Sequence, residues 1–153
     1  MSNTIEKPGT LTVISTAFLQ ASNIPSKYTC QGENINPPLT VTGIPKECKT
    51  LALIVEDPDA THGTFDHWIV WNIAPTGQIN ENTNPGVAGN NGAGQPKYTG
   101  PCPPSGSHRY YFRVFALDTN LTLAQGSSKD ALTKEMKHHI LAKGELMGWY
   151  QKS

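Results

Sequence analysis

Short β-branched and aromatic runs, each cut off by proline, glycine or a polar turn, restrict this chain to a β-rich fold. Residues 49–56 (KTLALIVE), 67–73 (HWIVWNI) and 109–117 (RYYFRVFAL) have strand composition and strand length. Alternation over 11–18, and the segment 39–42 after Pro37–Pro38, add two further predicted strands. The run 51–55 is apolar at every position, which predicts a central strand covered on both faces. Fourteen Gly and twelve Pro leave little room for long helices.

One helix is predicted near the end of the chain. Ser127 with Asp130 resembles a capping box, and Leu132, Met136 and Ile140 recur at helical spacing, with Gly144 placed to stop the helix. His138 and His139 then fall on its solvated side, without the one-turn spacing and glutamate of a two-histidine zinc helix. Between 77 and 100 lies a polar stretch, GQINENTNPGVAGNNGAGQPKYTG. Loops of this length in a compact domain are commonly functional. This one leads into the next motif and reads either as a loop bordering a pocket or as a plain surface excursion.

The 153 residues suit a single domain, 1–153, with its own core. Charged residues are 16% and the formal net charge is zero, so no basic face for nucleic acid is expected. The N-terminal MSNTIEKPGT lacks the apolar stretch of a signal peptide, and no run is long enough to span a bilayer. Cys30, Cys48 and Cys102 are an odd set without a metal-type CxxC pair, so reduced thiols in a cytoplasmic protein are expected. A Cys30–Cys102 bond would require a proximity that the spacing does not supply.

Two motifs carry the chemistry: DPDATHGTFDHWIVWNI at 57–73 and GPCPPSGSHRYYF at 100–112. Each places an imidazole at the mouth of a predicted strand, where a scaffold can hold it. With strands 49–56 and 67–73 antiparallel, Asp57 and His67 are expected to face one another, the carboxylate accepting the imidazole N–H. Period-two alternation puts His108 and Tyr110 on one face, with Phe112 and Val114 beneath. Asp57–Pro58–Asp59 also reads as a plain turn. His62 reads as a loop or structural residue, and Trp68 and Trp71 as core.

Three kinds of chemistry suit such a set. Anion capture needs only donors and a shaped pocket and ranks first. A metal-assisted hydrolase using His67, His108 and Asp57 ranks second, because the residue types fit and the spacing is undistinctive. Covalent catalysis ranks last, since Ser105, Ser107 and Cys102 sit in no strand–nucleophile–helix elbow.

DPDA followed by HWIVWNI, and then GPCPPSGSHRYYF, resembles the phosphatidylethanolamine-binding protein family, also called Raf kinase inhibitor-like proteins. IPSKYTCQGENINPPLTV at 24–41 and HILAKGELMGWYQ at 139–151 extend the likeness over nearly the whole chain. The compact length is similar to the bacterial and archaeal branch. The resemblance implies a mainly β fold, a large antiparallel sheet packed with a smaller one and few peripheral helices. It also implies a surface pocket for phosphate-like anions formed by Asp57, His67, Pro103, Pro104, His108 and Tyr110, with the Cys102 main chain close to the anion. Arg109 is expected to serve an ion pair.

Three departures stand out. Thr61 replaces the proline of the usual DPDAP, Val41 stands where a tryptophan is common, and the C-terminal extension of the eukaryotic relatives is not seen. The expected function is therefore a non-enzymatic binding module for phosphoryl-type anions without a cofactor or metal. The alternative is a protein-interaction inhibitor of a kinase or protease, and a homodimer is expected by analogy. Asp57 poses a physical problem, because an ionised carboxylate repels a phosphate. Either it orients and compensates His67, or the ligand brings its own cation, as phosphoethanolamine does.

Overall fold

The computed structural model describes residues 8–153. In chain order the strands are β1 (Gly9–Thr10), β2 (Thr12–Ile14), β3 (Leu39–Thr42), β4 (Thr50–Asp57), β5 (Phe65–Ile73), β6 (Gln78–Ile79), β7 (Val87–Ala88), β8 (His108–Leu117) and β9 (Ile140–Tyr150). Among the described residues a single α-helix, α1 (Lys129–Met136), precedes β9, and a 3₁₀ turn covers Ser26–Tyr28. Six strands form one sheet in the order β1-β9-β8-β4-β5-β7, and β2-β3-β6 form a second. Every pairing is antiparallel except β1 with β9.

β4 lies inside the large sheet, as its unbroken apolar run predicts. Leu51, Leu53 and Val55 face the small sheet and pack with Val13, Leu39, Val41 and Ile79. Ala52 and Ile54 face the other way, under Leu132 and Met136 of α1. The two tryptophans divide in the same manner. Trp68 packs between the sheets, edge-on to Tyr98 at 5.6 Å, while Trp71 lies under the helix.

Two irregularities in β5 decide which side chains face inward. Asn72 has φ 55 and exchanges hydrogen bonds with Leu121, its amide giving to the Leu121 carbonyl (2.8 Å) and its oxygen accepting from the Leu121 amide (2.8 Å). That kink returns Ile73 to the inter-sheet core. Nearer the strand's start, Val55 is opposite Trp68 but Glu56 is opposite Asp66, so His67 is the extra residue of a β-bulge.

The predicted helix is shorter than its spacing suggested, and a strand follows it. The cap is Ser128, whose Oγ accepts from the Ala131 amide (3.1 Å), while the Ser127 hydroxyl turns back to the Ala124 carbonyl. The chain leaves the helix at Lys137, and His138 adopts φ 72, so neither His138 nor His139 is helical. Ile140 opens β9 and Gly144 lies within it, paired with Val114 of β8. A Cβ on Gly144 would stand 2.2 Å from the Leu11 carbonyl oxygen. This glycine admits β1 and Leu11 beside the sheet rather than ending a helix. The misreading is physical: ILAKGELMGWY alternates, with Ala142, Leu146 and Tyr150 buried, yet its first residues also continue the helical period.

Candidate ligand-binding site

The pocket lies where β4 ends and where β5 and β8 begin. β4 runs between the other two, so Asp57 at its end is offered to both neighbours. β8 has strict alternation, which turns His108 and Tyr110 inward and Arg109 outward. The bulge at His67 turns that ring inward beside Trp68 instead of away from the core. A cavity of about 380 Å³ results, and Asp57, His67, Cys102, Pro103, Pro104, His108 and Tyr110 all line it. The seven residues singled out from sequence thus come together in one place.

Their pairing differs from the expected one. His67 does not meet Asp57; its Nδ1 lies 2.7 Å from the Thr99 carbonyl oxygen. A carbonyl can only accept, so Nδ1 carries the hydrogen. Asp57 instead holds His108, Oδ2 to Nδ1 at 2.7 Å, and its Oδ1 accepts the Asp59 amide at 2.7 Å. The strand register accounts for the missed contact. Phe65, not His67, is the register partner of Asp57.

Asp57, His67, His108 and Tyr110 are all buried. Burial holds the His67 imidazole below the usual histidine range, opposed by the Thr99 carbonyl and by the charges of Asp57 and Asp66. Burial, with the adjacent Asp57 carboxylate, pushes the Tyr110 phenol up. Tyr110 also braces both imidazoles, edge-on to His67 with centroids 5.2 Å apart and nearly parallel to His108 at 6.5 Å.

The DPD turn and the His-Arg pair of β8 fit together through two carboxylates side by side, one hydrogen-bonded to His108 and one ion-paired with Arg109. Asp57 takes His108, and Asp59 takes Arg109 through Nη2 (2.7 Å), Nε (2.9 Å) and the Arg109 amide (2.9 Å). The Arg109 guanidinium holds the Asp59 carboxyl down at about 2. The structural ion pair expected of Arg109 is therefore present, and it anchors the loop after β4 against β8.

The polar stretch 77–100 holds the short strands β6 and β7 and reaches the pocket only at its end, where Thr99 and Gly100 line it. Asn91 organises the stretch, accepting from the amides of Ala93 (2.8 Å) and Gln95 (3.1 Å) and donating to the Lys97 carbonyl (2.8 Å). The amides of Gly89, Gly92 and Thr99 then bond to the carbonyls of Ile69, Asp66 and His67. The loop thus delivers the Thr99 carbonyl to His67. No motif marks Thr99, which is why the sequence reading missed it. Phe65, Gly100 and the 60–64 loop, His62 included, also line the cavity without having been singled out as ligand-binding residues.

The expectation of reduced thiols is overturned at two of three cysteines. Cys30 and Cys102 are disulfide-bonded with Cα atoms 5.5 Å apart, although 72 positions separate them in sequence. The Cys30 amide also bonds to the Pro101 carbonyl (3.2 Å), and the Gly100 amide to Asn34 Oδ1 (2.7 Å). Gly100 is required here, since a Cβ would stand 2.3 Å from the Tyr28 carbonyl oxygen. Cys48 is free and half-buried, and burial pushes its thiol up. His139 pairs with Asp118 (2.8 Å), which follows the end of β8 opposite to His108. Among the described residues no helix is long and apolar enough to cross a membrane.

Fold and site together define a two-sheet β protein with a histidine-lined surface pocket at one end of its large sheet. Residues 14–151 match the family described as phosphatidylethanolamine-binding protein, and the chain belongs to that family. A "UPF0098 protein" of Archaeoglobus fulgidus is 47% identical over 149 residues, covering 92% of this chain and 51% of its own. The chain thus spans about half the length of that relative. The crystal structure of CT736 from Chlamydia trachomatis, described as a homologue of phosphatidylethanolamine-binding protein, superposes with a TM-score of 0.91 at 43% identity, over 95% of this chain and 99% of the other. That of E. coli YbcL, described as a member of the mammalian family, gives 0.85 at 28% identity, over 94% and 99%.

Proposed function

We propose that this protein is a non-enzymatic binding module whose pocket captures phosphate or phosphoryl-type anions, headgroups such as phosphoethanolamine among them, in a regulatory role. One observation carries the reading. Two imidazoles, a phenol and a rigid proline loop from separate parts of the chain surround a single cavity of small-molecule size. The family's name supports it, since relatives are described as phosphatidylethanolamine-binding proteins.

The arrangement also answers the charge problem of Asp57. Both of its oxygens are engaged by protein donors, so the carboxylate serves to orient and compensate His108. That leaves the imidazole edges rather than the carboxylate to meet an anion. Calorimetric titration with inorganic phosphate, phosphoethanolamine and a nucleotide, alongside metal analysis of the purified protein, tests the proposal. Saturable binding of phosphate-bearing ligands is expected. No binding to any of the three would defeat it, and one equivalent of zinc with hydrolytic turnover would replace it with the hydrolase.

A cytoplasmic setting is the sequence expectation, and the Cys30–Cys102 bond provides its test, since disulfides are rare in reducing compartments. Alkylation of thiols at lysis should label both cysteines in a cytoplasmic protein. A bond already formed in cells points to an oxidising compartment.

A further inference from the structure

Several of the hydrogen-bond donors around the pocket are already committed. His67 gives its Nδ1 hydrogen to the Thr99 carbonyl, and His108 Nδ1 faces the Asp57 carboxylate. The Gly100 amide goes to Asn34, the Thr99 amide to His67 and the Asp59 amide to Asp57, while the Tyr110 phenol lies against Asp57. Each imidazole keeps its Nε2 atom without a protein partner among the described residues. On a neutral ring whose Nδ1 carries the hydrogen, Nε2 is a lone pair and can only accept. A fully ionised oxyanion can also only accept. The two cannot meet until one of them takes up a proton.

His67 is the ring whose surroundings disfavour this proton. Its Nδ1 partner is an uncharged carbonyl, and its burial disfavours the imidazolium. The groups facing it have opposing effects. Asp57 at the end of β4 and Asp66 on its own strand favour the charge, although Asp66 is held at 2.7 Å by Lys129 of α1. His108 on β8 opposes it, Tyr110 and Phe65 pack edge-on and bring no charge, and His62 lines the same cavity from the 60–64 loop.

We propose that a fully ionised oxyanion enters this pocket together with one proton, which His67 Nε2 takes from solvent and presents to the anion as an N–H donor. The inference rests on the anion-binding reading above and deepens it by stating which ligands the pocket accepts at neutral pH. Hydrogen phosphate keeps a P–OH and can donate it to the neutral His67. Sulfate has none and requires the imidazolium. The pocket therefore takes a proton-bearing oxyanion at neutral pH and a bare one only with acidification.

Calorimetry of the full chain with inorganic phosphate and with sulfate tests this at about pH 6 and about pH 8, either side of the ordinary histidine value of about 6.5. Each titration is run in two buffers of different ionisation enthalpy, so that proton uptake is read directly. At the higher pH, sulfate should take up about one proton per anion and weaken by up to about tenfold per pH unit. Phosphate should take up far less and change little. His67→Gln supplies a donor that does not titrate, so sulfate binding should persist and lose its dependence on pH.

A readout on the unmodified protein guards against a misfolded variant. The His67 Nε2 nitrogen resonance should move from the lone-pair to the protonated position when sulfate is added. Sulfate binding without proton uptake, or with uptake unchanged in a folded His67→Gln, overturns the inference and leaves anion binding standing. Failure of both anions to bind at either pH overturns both readings.

Discussion

The pocket has two walls held by different forces. One is sheet: Asp57, His67, His108 and Tyr110 stand on β4, β5 and β8, with Asp57 paired to Phe65, His108 and Tyr110 paired to β9, and His67 held at the bulge between paired neighbours. The other is loop: residues 100–107 carry Cys102, Pro103 and Pro104 and belong to no strand. Its tethers are the Cys30–Cys102 bond, two main-chain hydrogen bonds at Gly100 and Pro101, and the approach of the Cys102 main chain to Tyr110. Side chains on a ladder keep their positions because dozens of cooperative contacts would have to yield. A loop wall stays in place through a few local links. The chemistry is placed on the first wall and the covering surface on the second.

The sharpest way to break the comparison is to cut the covalent link. Cys30→Ser opens a loop of about 70 residues, and the chain-entropy relation puts the loss near 4 kcal/mol. Denaturant midpoints of wild type and variant, with and without a thiol reductant, should show that loss. Phosphate affinity should fall as well, because the loop wall is released. An intact affinity in a destabilised Cys30→Ser protein would mean that packing of the prolines, not the bond, holds the wall.

Changes on the sheet wall should reverse that pattern, with affinity falling more than stability. His108→Ala and His67→Ala are each expected to weaken phosphate binding by about 1.5–3 kcal/mol, the range for hydrogen bonds to charged groups. His138→Ala, in the turn before β9, should match wild type in the same titration. Equal affinity in all three variants would remove both imidazoles from the site.

Asp57→Asn sharpens the division within the sheet wall. The amide keeps the size of the side chain and loses the charge that faces His108. If Asp57 acts through His108, phosphate and phosphoethanolamine should weaken together, by about 1–3 kcal/mol. A loss confined to phosphoethanolamine would instead assign Asp57 to the ligand's ammonium.

Acid should act at two different points, His67 on the sheet wall and Asp59 in the turn after β4. The His67 value is depressed by folding, so its protonation favours the unfolded chain. Its contribution is complete above the unfolded value of about 6.5 and is lost as pH falls through the lower folded value. Thermal midpoints between about pH 8 and about pH 5 should therefore fall less in His67→Gln than in wild type. Asp59, held at about 2 by Arg109, follows the carboxylate rule: its contribution is present above about 3.9 and is lost as pH approaches 2. The smallest effect is expected at His62→Ala. This exposed ring lines the cavity from a loop, and both stability and phosphate affinity should stay within about 0.5 kcal/mol of wild type.

Much of the sheet was readable from the chain because burial leaves a period. The segments 39–42, 49–56, 67–73 and 109–117 each mark a strand to within two residues at either end. His108 and Tyr110 could be placed on one face because β8 alternates without interruption. Prediction failed where two periods overlap, as at Ile140, and where an extra residue interrupts one, as at His67. A bulge leaves no composition of its own. It is created by how β4 and β5 settle against each other, so the partner of His67 could not be read from the motif that contains it.

The amino-acid sequence by itself determined the class of fold, the family and the residues that gather at the pocket. Those follow from local composition, alternation and two distinctive motifs. Only the tertiary structure decided who pairs with whom. It gave Asp57 to His108, Thr99 to His67 and Cys30 to Cys102, because each contact joins segments at least 32 positions apart. Such pairings depend on strand order, register and loop path, which are properties of the packed chain and are absent from any one segment of it.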